Sequence, residues 1–391
     1  MTPIFRALAL GATAALGADP ARSVLPKTVR AAVSKVRWTP ELTDELIRRM
    51  PKVEVHLHLD GSLSPKTIRE LAREQGYAPL SGKSEAEIAK LAVVDKPLAS
   101  LSEVLAAFTT VYPLLHTPRA VERMSYEAAM SEARHNVRYL EVRFAPALNA
   151  GEDFSMEQAL KAALKGLARA ERRSGVKTGV ILCLLRPFAL VSREQNEETV
   201  ALAIRYKDRG VVAVDLAGDE AAQPLSDFRG LFAKAKAAGL RLTVHAGETP
   251  RSRDLETALD IGVDRVGHAT LLASQPRLLR EFQRRRIPIE VNLTSNLRTA
   301  AVKDLSGHPV RQWYAAGIPV ALSTDDPGVF GIDLDHEYRL LARTLHFPVT
   351  DLLAVSFEGI DALFVPEARK GELRARFEAE SLAILRELEQ Q

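Results

Sequence analysis

Cysteine is almost missing from this chain: among 391 residues there is only Cys183, so no intramolecular disulfide can form. Cys183 lies within the apolar run Val180–Leu185, which reads as a buried structural thiol rather than a nucleophile. An excess of one charge is also missing. The 53 basic and 50 acidic residues leave a formal net charge of +3, which provides no electrostatic basis for binding nucleic acid or an anionic membrane. No stretch reaches the roughly 18–20 consecutive apolar residues of a membrane-spanning helix. Internal repeats, low-complexity linkers and a second-domain boundary are absent as well. What is present is a hydrophobic fraction of 46%, enough for a large core, in a length that suits one barrel with extra helices.

The N-terminus reads in two ways. Arg6 precedes an Ala/Leu/Gly run to Ala18, which has the length of a short export signal with a cleavage site near Ala15–Gly17. Its weak hydrophobicity suits an irregular extension equally, and the expectation is a cytoplasmic protein. Residues 1–42 are taken as an extension and 43–391 as a single domain.

From residue 51 onward, short β-branched runs alternate with longer amphipathic stretches, the pattern of βα units around a parallel sheet. The candidate strands are Val53–Leu59, Val137–Phe144, Gly179–Leu185, Val211–Leu216, Leu240–His245, Arg265–His268, Ile287–Asn292 and Pro319–Thr324. Together they make the complement of an α/β fold, a (β/α)₈ TIM barrel. Residues 60–136, between the first two strands, are helical in character and form a long insertion placed to roof the active site. Within it, residues 81–95 are charged and read as a candidate flap. Gly239, Gly262 and Gly317 fall where helices stop before the next strand.

The strongest local signal is Val53-Glu-Val-His-Leu-His-Leu-Asp60. Strand residues two apart share a face, so His56 and His58 both point into the barrel, close enough for one metal ion, and Asp60 follows on the same side. Imidazole suits zinc, and barrel active sites sit at the C-terminal strand ends. His245 with Glu248 follows the fifth strand, His268 ends the sixth, and Asp325 and Asp326 end the eighth. A capping Asp or a core His would explain any one of these. The barrel brings all of these ends together. Arg143, at the end of the second strand, fits either the site or an internal ion pair.

These segments resemble the successive motifs of the adenosine and adenine deaminase family. The motifs are Pro51-Lys-Val-Glu-Val-His-Leu-His-Leu-Asp-Gly61, Asp215-Leu-Ala-Gly-Asp-Glu220, His245-Ala-Gly-Glu248, Gly267-His268, Thr294-Ser-Asn296 and Ser323-Thr-Asp-Asp-Pro327, in the family's order. The resemblance implies one Zn²⁺ held by His56, His58, His245 and Asp325. It implies that Glu248 protonates the purine N1 and that His268 orients the attacking water and helps take its proton. Asp326 would hold N7, the backbone of Gly218 would meet N3, Asp60 would face the ribose, and His58 would also touch the substrate. Many members carry Cys-Pro before the Ser-Asn pair, where this chain has Val291-Asn-Leu-Thr-Ser-Asn296; the change bears on ligand preference.

The reaction this implies is hydrolytic deamination of adenosine and 2′-deoxyadenosine, with a small-molecule purine nucleoside as partner. The run Asp325 to Gly331, with His336-Glu-Tyr338, looks more like bacterial adenosine deaminases than adenine deaminases. Aminodeoxyfutalosine or adenine deamination would use the same catalytic set. An N6-methyl-AMP deaminase would need a phosphate site that the sequence does not display. Barrel hydrolases that bridge two metals with a carboxylated lysine are disfavoured, because the fourth strand has no lysine. A non-catalytic nucleoside binder would be expected to have lost a ligand or the acid, and none is lost.

Overall fold

The computed structural model describes residues 24–250 and 252–391, so the export-like run at residues 6–18 lies outside the described residues. Among the described residues, nine parallel strands form two sheets. One contains β1 (Lys52–His58), β2 (Val137–Phe144), β3 (Lys177–Arg186), β4 (Val211–Gly218) and β5 (Arg241–Leu242). The other contains β6 (His245–Ala246), β7 (Val266–His268), β8 (Ile289–Val291) and β9 (Val320–Leu322). β5 and β6 are two halves of the single fifth barrel strand. Thr243 N–H donates to Val214 O and Gly267 N–H to Val244 O, carrying the ladder across the gap. The circle closes where His58 N–H donates to Asp325 O and Asp325 N–H to His56 O, both at 2.8 Å. The fold is therefore a TIM barrel, with its strands in sequence order.

Strand limits differ from the sequence reading where proline intervenes. The seventh and eighth strands start after Pro288 and Pro319, which have no N–H to donate and serve the ladder only through their carbonyls, to Val266 and Ile289. β1 ends at His58 rather than Leu59, and Asp60 opens a short 3₁₀ turn, Asp60–Ser62. Asp60 thus reaches the barrel mouth from a turn and not by strand alternation. Gly239, Gly262 and Gly317 all take the positive φ expected of helix stops, +79°, +72° and +73°.

The insertion contains the helices Pro65–Glu74, Glu85–Ala92 and Pro118–Arg134, with short turns over Leu101–Leu114. Phe108, Val104 and Val94 pack against Val329 and Phe330, which follow the eighth strand, and Val94 N–H donates to Val329 O at 2.7 Å. The segment read as a flap is pinned at this end, and Ile88 and Ala92 are buried. Helices Val349–Ala362 and Glu367–Leu388 close the other side of the barrel. Leu25, Val29, Val33 and Val36 pack into the main hydrophobic core. Among the described residues, no helix is long and apolar enough to cross a membrane.

Candidate active site

The predicted metal ligands converge at the C-terminal mouth. One donor atom from each of His56, His58, His245 and Asp325 lies within 4.8 Å of the other three. The Nε2 atoms of His58 and His245 are 3.1 Å apart, and Asp325 Oδ1 is 3.1 Å from His56 Nε2 and 3.3 Å from His58 Nε2. His56 Nε2 is buried and has no hydrogen-bond partner. Burial without a partner is costly. A cation among these donors removes that cost, so the residues fit a single tetrahedral ion.

Two carboxylates behind the histidines set which nitrogen faces the site. His56 Nδ1–H donates to Glu290 Oε2 at 2.6 Å, and His245 Nδ1–H donates to Asp215 at 3.1 Å, leaving both Nε2 lone pairs directed inward. Such carboxylate partners orient the ring and raise its basicity toward metal. Burial drives the His245 imidazole down to about 4, so it is neutral and able to bind an ion. Arg143 bridges Asp215 at 3.0 Å and Glu290 at 2.8 Å, and Arg265 pairs with Glu290 at 2.6 Å and Glu141 at 2.5 Å. Burial alone would raise the Glu290 carboxyl, but Arg143 and Arg265 outweigh it and hold the group ionised. Arg143 is thus an ion-pairing residue of the barrel interior.

Sequence reasoning missed Glu290 and attached no role to Asp215. Both alternate with apolar residues on barrel strands. A carboxylate at an inward strand position was the available signal, but it needs the neighbouring strand's histidine before it means anything.

Glu248 and His268 flank the cluster. His268 Nδ1 lies 3.5 Å from Glu248 Oε1, and His268 Nε2 is 3.8 Å from Asp325 Oδ2. Glu248 Oε1 is buried without a partner. Burial, then the charges of Asp325 and Glu220, push its carboxyl well above the usual range, which favours the neutral acid. Glu220 itself caps the loop, accepting N–H groups from Gly247, Glu248 and Thr249, each at 2.9 Å. His268 and Asp325 both have positive φ, +64° and +63°. Left-handed backbone at non-glycine residues costs free energy and gathers at functional sites. Here it turns two side chains toward one point.

Asp326 and Asp60 stand on the opposite wall. Burial, with Asp325 and Asp60 as charged neighbours, raises the Asp326 carboxyl well above its ordinary value. Tyr112 O–H, from the roof, donates to Asp60 Oδ2 at 3.0 Å, while Asp60 Oδ1 and Asp326 Oδ1 are buried and unpartnered. A Cβ on Gly61 would stand 1.8 Å from Asp326 Oδ1, so only glycine admits this carboxylate. Gly218, at the end of β4, has φ +97°. Of the residues the sequence singled out, His58, Asp60, Gly218, His245, Glu248, His268, Asp325 and Asp326 line one cavity of about 440 Å³, together with Cys183, while His56 lies behind it. Its outer half is apolar, with Leu101, Val104, Phe108 and Leu190. Cys183 is buried, and burial raises its thiol well above the ordinary range, the opposite of an activated nucleophile.

The adenosine deaminase family model matches residues 51–380. Over 354 residues the chain is 33% identical to an adenosine deaminase of Lactococcus lactis, covering 89% of this chain and 98% of that protein. It is also 33% identical to an aminodeoxyfutalosine deaminase of Streptomyces avermitilis over 344 residues, covering 87% of this chain and 93% of the other. A solved amidohydrolase from Burkholderia ambifaria with bound Zn superimposes with a TM-score of 0.78 at 25% identity, covering 91% of this chain and 98% of that one. The barrel, the metal-ligand cluster and these matches agree, and the chain belongs to the adenosine deaminase family of metal-dependent hydrolases.

Proposed function

We propose that the protein catalyses hydrolytic deamination of adenosine and 2′-deoxyadenosine to inosine or 2′-deoxyinosine plus ammonia, with zinc at the four-donor cluster. Residues 43–391 form the catalytic domain in this reading, acting on small molecules in the cytoplasm. The observation that carries it is Glu248: a buried, unpartnered acid beside His268 at the edge of the cluster.

A divalent ion held by His56, His58, His245 and Asp325 would acidify water at the site, to a pKa of roughly 7. The protein's residues account for the rest. Water adds to C6 of the purine, which loses aromaticity unless N1 gains a proton. Glu248, kept neutral by burial, gives that proton. N7 is an acceptor, so a carboxyl that holds it must itself be protonated, which the raised affinity of Asp326 for its proton supports. The Gly218 amide reaches N3, and Asp60 Oδ1, left free by Tyr112, accepts from the ribose. The proton that water gives up on adding to C6 passes to the amino group, the C6–N bond breaks to release ammonia, and the C6 hydroxyl becomes a carbonyl as its proton restores Glu248. His58, at the cavity wall, touches the substrate as well as the ion.

A second reading, an aminodeoxyfutalosine deaminase, is favoured by one observation. The outer cavity is apolar, and Leu190 at its rim is 60% exposed, a surface suited to an apolar substituent beyond the ribose. The test is a parallel assay with adenosine, 2′-deoxyadenosine, adenine and aminodeoxyfutalosine, following ammonia release, with Glu248→Gln as the blank. Turnover of adenosine that disappears in the variant supports the proposal. Preference for another purine corrects the substrate, and inactivity on all four with metal bound overturns it.

A further inference from the structure

Behind His268 runs a chain of buried hydrogen bonds with only one consistent direction. Val310 N–H donates to His308 Nδ1 at 3.1 Å. His308 Nε2 lies 3.1 Å from Asn296 Oδ1. Asn296 Nδ2 lies 2.9 Å from His268 Nδ1, and Asn292 Nδ2 lies 3.3 Å from the same nitrogen. All three side chains are almost completely buried, His308 at 4%, Asn296 at 0% and His268 at 2% exposure. Water therefore offers them little alternative.

A backbone N–H can only donate, so His308 Nδ1 must accept and carry no proton. Burial drives the His308 imidazole down to about 3, so the ring is neutral and its one proton sits on Nε2. That proton needs an acceptor, which is Asn296 Oδ1. The amide cannot be turned over without setting N–H against N–H. Asn296 Nδ2 then donates to His268 Nδ1, which must present a lone pair. The neutral His268 ring carries its proton on Nε2, directed toward Asp325 Oδ2 at 3.8 Å.

We infer that Asn296 and His308 are positioning residues that hold His268 in its Nε2–H tautomer. His268 therefore meets the site as a hydrogen-bond donor. It orients or stabilises an oxygen at the site and does not take a proton there, which revises the role that family resemblance suggested. The same network occupies His268 Nδ1, 3.5 Å from Glu248 Oε1, so the Glu248 proton is left free for the substrate. Only the catalytic consequence rests on the deaminase reading; the tautomer can be observed without turnover.

The test is nitrogen-15 histidine spectroscopy on the metal-loaded protein, with the His268 ring assigned by its loss in His268→Gln. The expected spectrum has an unprotonated Nδ1 and a protonated Nε2. A protonated Nδ1 in the wild type overturns the inference, and this measurement needs no variant of the relay to fold. Asn296→Asp replaces the donor with a carboxylate oxygen and should invert the tautomer. It should lower kcat by on the order of 100-fold or more with KM nearly unchanged, since a wrong histidine tautomer in a catalytic triad costs about 10⁴. His308→Gln, which keeps an N–H for Asn296, should retain the wild-type His268 spectrum, while His308→Leu should not. A His268 spectrum that is identical in Asn296→Asp and the wild type also overturns the inference.

Discussion

The Nε2 atoms of His58 and His245 stand 3.1 Å apart, although 187 residues separate them in the chain. Because His245 Nδ1–H is committed to Asp215, its Nε2 offers a lone pair to His58. Either a proton on His58 Nε2 or a cation between the rings reconciles the two. Chelation should therefore abolish deaminase activity, and zinc should restore it. Added ion should raise the melting temperature, since a ligand that binds only the folded state stabilises it, by about 2.7 kcal/mol at 100 times its Kd. A melting temperature indifferent to chelation would rule out a structural ion at the cluster.

Glu248→Gln should reduce kcat by about 10²–10⁴-fold, the usual contribution of a general acid. Metal content should be unchanged, because Glu248 is not among the four donors. An equal loss of zinc in this variant would show that the acid had been misplaced.

Glu290→Gln acts on two levels. It removes the carboxylate that holds His56 Nδ1–H, which should weaken metal affinity by about 10–100-fold. It also strips the partner from Arg143 and Arg265 in the barrel interior, with an expected loss of about 3–5 kcal/mol. Denaturant unfolding and zinc titration read the two effects separately. Normal metal affinity in a folded variant would remove Glu290 from the site.

Gly61→Ala places a methyl where Asp326 Oδ1 now stands. Displacing that carboxyl should raise KM by about 2- to 10-fold, the equivalent of one hydrogen bond between neutral groups, while the fold survives. A KM equal to that of the wild type would mean that Asp326 does not hold substrate.

Stability should fall as pH rises. Burial pushes Glu358 and Glu337 up to about 8 from 4.5, so between those values the folded state keeps protons that the unfolded chain has lost. Their contribution is complete below pH 4.5 and is lost as pH climbs through 8. Glu358→Gln keeps an acceptor for Val320 N–H and removes the titration, so its melting temperature should fall less steeply with pH. Parallel curves for variant and wild type would argue against a neutral Glu358.

Much of this was legible in the amino-acid order. A His-x-His pair ending a strand must present both rings to one face, because side chains alternate with period two. Helix stops were legible at Gly239, Gly262 and Gly317, because left-handed backbone favours glycine. The groups that converge on the cavity were readable because each motif is short and local: His245 with Glu248, Gly267 with His268, Asp325 with Asp326. What the sequence by itself determined is which strand ends carry chemistry.

Tertiary structure alone decided how those groups are tuned. Glu290 serves His56 from 234 residues away, Asp215 serves His245, and the Val310 amide sets the His268 tautomer through two side chains. The first two pairings have no local pattern, since they depend on the register between separate strands, and the third depends on how the segment after the seventh strand folds back on His268. The same is true of the raised Glu248 and Asp326 carboxyls, whose cause is burial, with the charge of Asp325 beside both. Residue type is written in the sequence, but proton affinity depends on the charges and solvent around a group, and those exist only once the barrel has closed.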